Sequence, residues 1–360
     1  MNPTSLIPTP DTIPAPAWLF WLLGIVMFTL HILVINALLG SSIIMLFGRL
    51  AGKKPTMPKE FAGNVAVKSM ALFAFGINLG VAALLFLQVL YGHFMYTSSV
   101  LMAVYWILVI PLLIIAYYAG YMHIRLSSKA PLISVLSLIV STGILLYIGF
   151  TFVNNMTLML MPEKWTAYFA NRGGTVLNTS DPIFWPRYLH FLVASIAVGG
   201  LFLAFVQNRN TKKGIEGAEK KKRAGLKIFA WATCVQVLIG LWFLIALPKE
   251  IMMSFMGGNL IHTIILALGV LLALGAIYMG FRGKLAGTAY HLLGIILLMV
   301  INRSNLRALY LKDVFSFSSL ELNPQYGVLA LFLLVFVIGL GVIYYMIKIV
   351  LRANQGRATS

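Results

Sequence analysis

The sequence has few charged residues, very few acids and a single cysteine. Of its 360 residues, 10% are charged and nine are Asp or Glu, whereas soluble globular domains carry about a quarter of their residues as charges. Cys234 alone cannot form a disulfide within the chain, and no Cys-x-x-Cys-His haem attachment motif occurs. These absences exclude a soluble globular domain, a disulfide-stabilised secreted domain and a nucleic-acid-binding domain.

Hydrophobic residues, in contrast, make up 60% of the chain, and the mean hydropathy is +0.93. A helix needs about 20 apolar residues to cross a bilayer. We therefore predict an all-α, multi-pass membrane bundle of nine transmembrane helices. The nine apolar stretches are 17–49, 66–92, 99–122, 131–153, 187–207, 227–248, 259–281, 286–302 and 327–350.

The basic residues predict the orientation of these spans. Lys and Arg number 27, and the net charge is +18. They gather in alternate connections: Arg49, Lys53 and Lys54 follow the first span, and the densest run, 208–223, follows the fifth. Because cytoplasmic loops carry the excess of Lys and Arg, the N-terminus is expected outside and the C-terminus in the cytoplasm, with lipid as the surrounding partner.

We predict one transmembrane domain over residues 1–360. Within it, 17–153 form an N-terminal four-helix bundle, 154–186 an external segment and 187–350 five further helices. The external segment contains Trp165 and Trp185 and is expected to lie at the membrane interface because it is amphipathic and aromatic.

The histidines are the candidates for chemistry, because no apolar span contains a carboxylate that could build a proton or cation pathway. A neutral imidazole is a natural axial ligand for haem iron. His190 and His262 are expected near the outer starts of the fifth and seventh spans, where they could face one another across a haem. His31 lies well inside the first span, and His93 lies at the outer end of the second. The alternative for His190, His262 and His31 is a hydrogen-bonded core histidine. His93 is expected to be a ligand only if a haem lies close to the outer surface, or otherwise to face water.

Two other groups of residues allow more than one interpretation. His123 and His291 are expected near the cytoplasmic ends of their spans, without a role. Residues 303–326 carry Arg303, Arg307 and Lys312 on the outer side, against the usual charge bias. They are expected either to recognise an anionic group, such as haem propionates or a docking partner, or to be interfacial residues that extend to water.

Three segments, in order, resemble subunit I of the cytochrome bd quinol oxidases over about the first two-thirds of the chain. They are His31-Ile32-Leu33-Val34, then Phe75-Gly76-Ile77-Asn78 with Gly80-Val81-Ala82, then Asp181-Pro182 with Arg187-Tyr188-Leu189-His190. The resemblance implies a nine-helix, N-outside fold. It also implies that His190 ligates a low-spin b haem and that His31 is an axial ligand in a second haem region. His262 stands roughly where that family has the methionine that is the second ligand of the low-spin haem. Arg187 and Arg307 are then expected to bind the cofactor.

The chain also departs from that family where oxygen chemistry is concerned. Gln88 replaces a glutamate of the second helix, and the third and eighth helices lack their carboxylates. The Gly-Arg-Gln-Pro-Trp segment is reduced to Asn305-Leu306-Arg307, and the quinol loop after the sixth helix is reduced to 248–258. The resemblance therefore implies haem-binding helices without an oxygen-reducing site.

These observations predict a membrane electron-transfer subunit with one to two or more b haems, situated in a bacterial or archaeal inner membrane. It would oxidise quinol and pass electrons to an acceptor on the outer face, such as a c-type cytochrome, together with other membrane subunits. Glu250 is the only acid near the sixth helix and is a candidate proton acceptor from quinol. The alternative is an ordinary loop charge pair.

Three other functions remain open from the sequence. The chain could be a bd-type terminal oxidase subunit that reduces oxygen with an altered ligand set, or a haem-poor membrane anchor for soluble cytochromes. Transport is disfavoured, because no intramembrane acid and no repeat of broken helices is found.

Overall fold

The computed structural model describes residues 3–51 and 59–356, and their secondary structure is helical apart from turns and one isolated β-bridge. Within these residues, nine helices are long and apolar enough to cross a membrane, which confirms the predicted all-α, multi-pass fold. Lys53 and Lys54 lie outside the described residues. The long helices are α1 (Ala17–Leu50), α2 (Lys59–Leu101), α3 (Ala103–Leu126), α4 (Pro131–Met159), α5 (Phe184–Thr211), α6 (Ala218–Ile245), α8 (Leu260–Phe281), α9 (Leu285–Leu311) and α10 (Tyr326–Gly356), with a short α7 (Lys249–Met253) before α8.

We call the end of the bundle at which α1 begins the N-terminal face. The spans alternate in direction, so α5, α8 and α10 also begin at this face, while α2, α4, α6 and α9 end there. The sequence predicts that it faces outward. Most basic residues lie at the opposite face, including the run 208–223, part of which belongs to α5 and α6 rather than to a loop.

Close helix packing in the centre of the bundle depends on small residues. A Cβ atom on Gly40 of α1 would collide with the backbone of Ser195 in α5, and one on Gly199 would collide with the backbone at Gly40. Small residues allow membrane helices to approach this closely. Nearby, the hydroxyl of Ser195 donates a hydrogen bond to Oδ1 of Asn36 at 2.9 Å. Helix α1 thus packs against α5 as well as α2, so its contacts cross the predicted boundary at 154–186.

The predicted boundary between the second and third spans is wrong. Residues 93–98 were expected to connect the spans, yet α2 continues to Leu101 with a bend at Tyr91, where φ is −131° and ψ is 26°. His93, Phe94 and Ser98 are almost completely buried there. The polar and aromatic residues at 93–98 therefore do not form a loop. They belong to the last turns of α2, which are buried in the protein.

The external segment 154–186 also differs from its prediction. Helix α4 extends to Met159, a 3-10 turn covers Pro162–Phe169, and α5 begins at Phe184. Trp165 is 2% exposed and donates an indole hydrogen bond to the carbonyl of Leu158 at 2.9 Å. Its ring thus belongs to the protein core and not to the membrane interface.

Residues 303–311 are helical, which corrects the prediction of an external polar segment at 303–326. Helix α9 runs without interruption to Leu311, so Arg303 and Arg307 lie in its last turns. Trp21 of α1 fixes this end of α9, because its indole N–H donates a hydrogen bond to the hydroxyl of Ser304 at 2.9 Å. The arginines therefore project from a helix that is held against α1.

Helix α10 stands apart from the other spans. Its apolar side chains, such as Val328, Leu331 and Val337, are about 60% exposed or more. The chain before α1 binds the connection that precedes α10. The N–H of Ile13 donates to the carbonyl of Glu321, and the carbonyl of Ile13 accepts from the N–H of Asn323, both at 2.9 Å. This backbone pairing is the isolated β-bridge of the structure.

Candidate functional site

His190 lies in the second turn of α5 and contacts α6. Its Nδ1 atom is buried and has no hydrogen-bond partner. A Cβ atom on Gly240 of α6 would lie 3.4 Å from its Cε1 atom, so the ring packs directly against the α6 backbone. Leaving a buried polar atom unpaired costs about 1–3 kcal/mol. This histidine is therefore not the hydrogen-bonded core residue that was the alternative prediction.

His31 lies in the middle of α1, against α2. Its Nδ1 atom is 2.9 Å from the carbonyl oxygen of Gly76. A carbonyl can only accept, so Nδ1 carries the proton and Nε2 keeps a lone pair. A Cβ atom on Gly80 would lie 2.7 Å from Cε1 of the ring. The glycine therefore leaves space that the imidazole occupies.

His262 lies in the first turn of α8 and is held by the short connection before it. Its Nδ1 atom is 2.8 Å from the hydroxyl of Ser254, and its ring stacks on Phe255 with the centroids 5.3 Å apart. No hydrogen bond or ring contact joins it to His190, and α6 packs against both α5 and α8. The structure does not bring the two predicted partners into contact.

His93 was expected at the outer end of a span, but it is only 8% exposed. Its ring centroid lies 4.2 Å from that of Phe94 and 5.0 Å from that of Phe315. Aromatic side chains thus occupy the space beside the imidazole. This position suits a packed core residue better than an iron ligand.

The two histidines without a predicted role have local hydrogen bonds. His123 lies 2.9 Å from the hydroxyl of Ser134, and Nδ1 of His291 lies 2.8 Å from the carbonyl oxygen of Gly287, one turn earlier in α9. Both lie near the face opposite the N-terminal face, as expected from the sequence.

Arg187, Arg303 and Arg307 converge at the N-terminal face, and we call them the arginine cluster. Arg187 lies in the first turn of α5, and the other two lie one turn apart in α9. Arg303 is close enough to each of the other two for their positive charges to repel. The cluster thus gathers three positive charges from two helices.

Each member of the cluster lies over an aromatic ring. The guanidinium carbon of Arg187 is 5.3 Å from the ring centroid of Phe243, and that of Arg303 is 4.2 Å from the centroid of Phe28. Arg307 lies 4.9 Å from the ring centroid of Tyr91. These distances are within the range of cation–π interactions, which stabilise the flat face of each guanidinium.

A small pocket of about 10 Å³, enough for one water molecule, lies between the three arginines. Met156, Met159 and Leu160, at the end of α4, form its apolar wall. Among the described residues, no member of the cluster forms an ion pair. Asp181 interacts electrostatically with Arg187, but that single carboxylate leaves the cluster strongly positive.

Glu250 lies in the first turn of α7 and forms an ion pair with Lys312, with 3.3 Å between Oε2 and Nζ. Its side chain is 86% exposed. Such a surface pair contributes at most about 1 kcal/mol to stability. The geometry favours the loop charge pair, with Lys312 rather than the adjacent Lys249 as its partner.

The histidines differ in how well they fit the haem that the resemblance implies. Metal-bound histidines usually donate the other ring N–H to a carbonyl or similar acceptor, and His31 does this. His190 does not meet this criterion, because its buried Nδ1 atom has no acceptor, but it lies three residues from Arg187. The Nδ1 atom of His262 also has a partner, the hydroxyl of Ser254, whereas His93 fits less well because aromatic rings enclose it. No group of three or more His, Cys, Asp or Glu within the described residues could hold a metal ion by itself.

The sequence alone indicates some of these residues and misses others. Arg187 and His190 are spaced i, i+3, and Arg303 and Arg307 are spaced i, i+4, so each pair shares a helix face. The i, i+4 spacing is the sequence signal that places Arg303 on the same helix face as Arg307, one of the two arginines predicted to bind the cofactor. Gly80 and Gly240 carry no comparable signal, because only the packing of neighbouring helices reveals that each lies against a histidine.

Comparison with known proteins found no matching family model, no matching curated protein and no matching solved structure. The resemblance to subunit I of the cytochrome bd quinol oxidases therefore rests on the three sequence segments and their order.

Proposed function

We propose that the chain is a membrane electron-transfer subunit that holds a b haem through His190, accepts electrons from quinol and passes them to an acceptor at the N-terminal face. The observation that carries the proposal is the buried, unpaired imidazole of His190 beside Arg187. Ionisable and polar groups inside a membrane protein are costly, and they usually mark functional sites. The imidazole of His190 would hold the haem iron through a ring nitrogen.

The protein residues have distinct roles in this proposal. His190 would hold the iron from α5, with its imidazole beside Gly240 of α6. His31 is a ligand for a second haem, with its ring oriented by the carbonyl of Gly76. A haem supplies reversible one-electron chemistry, and its axial ligand and surroundings set its potential.

The proposed setting follows the sequence prediction. The chain is a multi-pass membrane protein, and we propose a bacterial or archaeal inner membrane with quinone as the lipid-soluble partner. A c-type cytochrome is the proposed acceptor at the N-terminal face, together with further membrane subunits. Glu250 is not retained as the proton acceptor for quinol, because its carboxylate is exposed and paired with Lys312.

The test is a reduced-minus-oxidised visible spectrum of the purified protein, with extracted haem quantified from the same sample. We expect a low-spin b-type signal without sensitivity to carbon monoxide. His190→Ala should abolish this signal or reduce it by one haem equivalent. His291→Ala is the matched control, because that histidine also lies in a helix and has its own backbone hydrogen bond.

Other results would point to other functions. A carbon-monoxide-sensitive high-spin haem would favour the oxidase. A wild-type protein without haem would contradict the proposal and leave an anchor subunit or a transporter. Full retention of the spectrum in His190→Ala would remove that residue from the site.

A further inference from the structure

The arginine cluster lacks the negative charge that three guanidinium groups require. Its members lie within about 12 Å of a helix end, given a rise of about 1.5 Å per residue, so they are close to the level of the membrane interface. Arginines inside membrane proteins almost always pair with other groups or face a cavity. Here they face a pocket, and no carboxylate among the described residues forms an ion pair with them.

The aromatic contacts do not satisfy the hydrogen-bonding capacity of these arginines. A guanidinium presents five N–H donors at its edges, while a ring beneath it contacts only the flat face. The guanidinium groups of Arg187 and Arg303 donate no hydrogen bond to another described residue within normal geometric limits. Their edges therefore remain available to a ligand in the pocket.

The ends of the helices do not neutralise the cluster. The C-terminal end of a helix carries about half a negative charge, which favours Arg307, one turn before the end of α9, more than Arg303. The N-terminal end of α5 carries the opposite partial charge, which adds to that of Arg187. The net field in the pocket therefore stays positive and suits an anion.

We propose that the arginine cluster is a binding site for an oxyanion at the head of an otherwise apolar molecule. Arginine binds carboxylate and phosphate oxygens with two parallel hydrogen bonds, and three arginines can bind two such groups or one doubly charged group. Met156, Met159 and Leu160 line the pocket and would contact the adjoining apolar part of the ligand when the side chains move apart to admit it. The oxyanion is the phosphate of an anionic phospholipid or a carboxylate of the bound haem; only the second source rests on the proposed function.

The experiment compares Arg187→Gln, Arg303→Gln and the triple Gln variant with wild type. Arg282→Gln is the matched control, because Arg282 also stacks on an aromatic ring, that of Tyr278 at 5.5 Å, but lies near the opposite face. Native mass spectrometry measures co-purified phospholipid, and haem extraction measures haem. We expect each single variant to retain about one-tenth as much of one of these ligands, since a charge-assisted hydrogen bond is strong, and the control to retain both.

A second measurement, of melting temperature with added lipid, tests the site if the Gln variants fold poorly. Arg303→Lys keeps the charge but loses the two-pronged donor, so it should fold and still bind more weakly. Short-chain phosphatidylglycerol is added to wild type and to this variant, with phosphatidylcholine of the same chain length as the neutral probe. A phosphate site predicts that the melting temperature of wild type rises more with phosphatidylglycerol than with phosphatidylcholine, and that the variant loses most of this difference.

The outcomes separate the two ligand sources and the two proposals. Loss of phospholipid with haem retained identifies the phosphate, and loss of haem with phospholipid retained identifies the carboxylate. A wild-type protein without haem that still loses phospholipid in the arginine variants would contradict the proposed function and support the oxyanion site. Variants that retain both ligands as well as Arg282→Gln does, with no selective effect of phosphatidylglycerol on wild type, would overturn the site.

Discussion

Gly80 and Gly240 each lie against a histidine, but at different distances, and this difference predicts opposite effects of the same substitution. A Cβ atom at position 80 would lie 2.7 Å from Cε1 and 2.9 Å from Nδ1 of His31. At position 240 the nearest histidine atom, Cε1 of His190, would lie 3.4 Å away, close to ordinary contact. Gly80→Ala should therefore displace an imidazole, and Gly240→Ala should not.

The size of the effect follows from three contributions. Overpacking at position 80 costs about 1–3 kcal/mol, and loss of the hydrogen bond between His31 and Gly76 costs about 0.5–1.5 kcal/mol. Replacing a helical glycine by alanine returns about 1 kcal/mol. We expect Gly80→Ala to lower the free energy of unfolding by roughly 0.5–3.5 kcal/mol, and Gly240→Ala to leave it unchanged or to raise it by up to about 1 kcal/mol.

The assay is reversible unfolding in mixed micelles, followed by tryptophan fluorescence, with the visible spectrum recorded for each variant. Gly80→Ala should also diminish any haem signal that depends on His31, while Gly240→Ala keeps the signal that depends on His190. If Gly80→Ala is as stable as wild type and spectrally identical to it, the packing of His31 against α2 is not as described.

Further predictions concern polar contacts at the N-terminal face. Trp21→Phe removes the hydrogen bond to Ser304 and should lower the free energy of unfolding by about 1 kcal/mol; if a double variant with Ser304→Ala loses the full sum of both single effects, the two groups do not interact. Asn154→Ala removes the amide oxygen that accepts a buried backbone N–H at 2.7 Å and should cost about 1–3 kcal/mol, measured by the same unfolding assay; a value near zero would show that water replaces the amide. Glu250→Gln should change stability by at most about 1 kcal/mol and leave the rate of quinol-driven reduction unchanged, whereas a large rate loss that Lys312→Gln does not reproduce would restore Glu250 as the proton acceptor.

The transmembrane helices could be predicted from the sequence because their signal is local. A run of about 20 apolar residues identifies a span wherever it occurs, and all nine predicted spans correspond to helices. The ends of the helices could not be predicted in the same way. His93, Arg303 and Arg307 are polar residues of the kind that suggests a loop, but each lies in a helix. His93 is buried, and each of the two arginines stacks on an aromatic ring of another helix.

The candidate site was predictable only in part, for a related physical reason. His190 and Arg187 could be proposed from their neighbourhood in the sequence and from the resemblance. The convergence of α5 with α9 at the arginine cluster depends on packing between residues more than 100 positions apart, which no local pattern contains. The packing of α6 against both the helix of His190 and the helix of His262 is likewise a property of helix order in the bundle, and equal depth in the membrane does not reveal it.

The β-bridge at Ile13 joins the two ends of the chain's path through the membrane. Helix α10 packs little against the other spans. The connection before it is held by backbone hydrogen bonds with Ile13 and Pro14 and by contacts of Phe315 and Phe317 with Tyr91. This pairing connects the segment before α1 to a helix that begins more than 300 residues later. A tag or fusion placed before α1 should therefore affect the attachment of the last span as well as the start of α1.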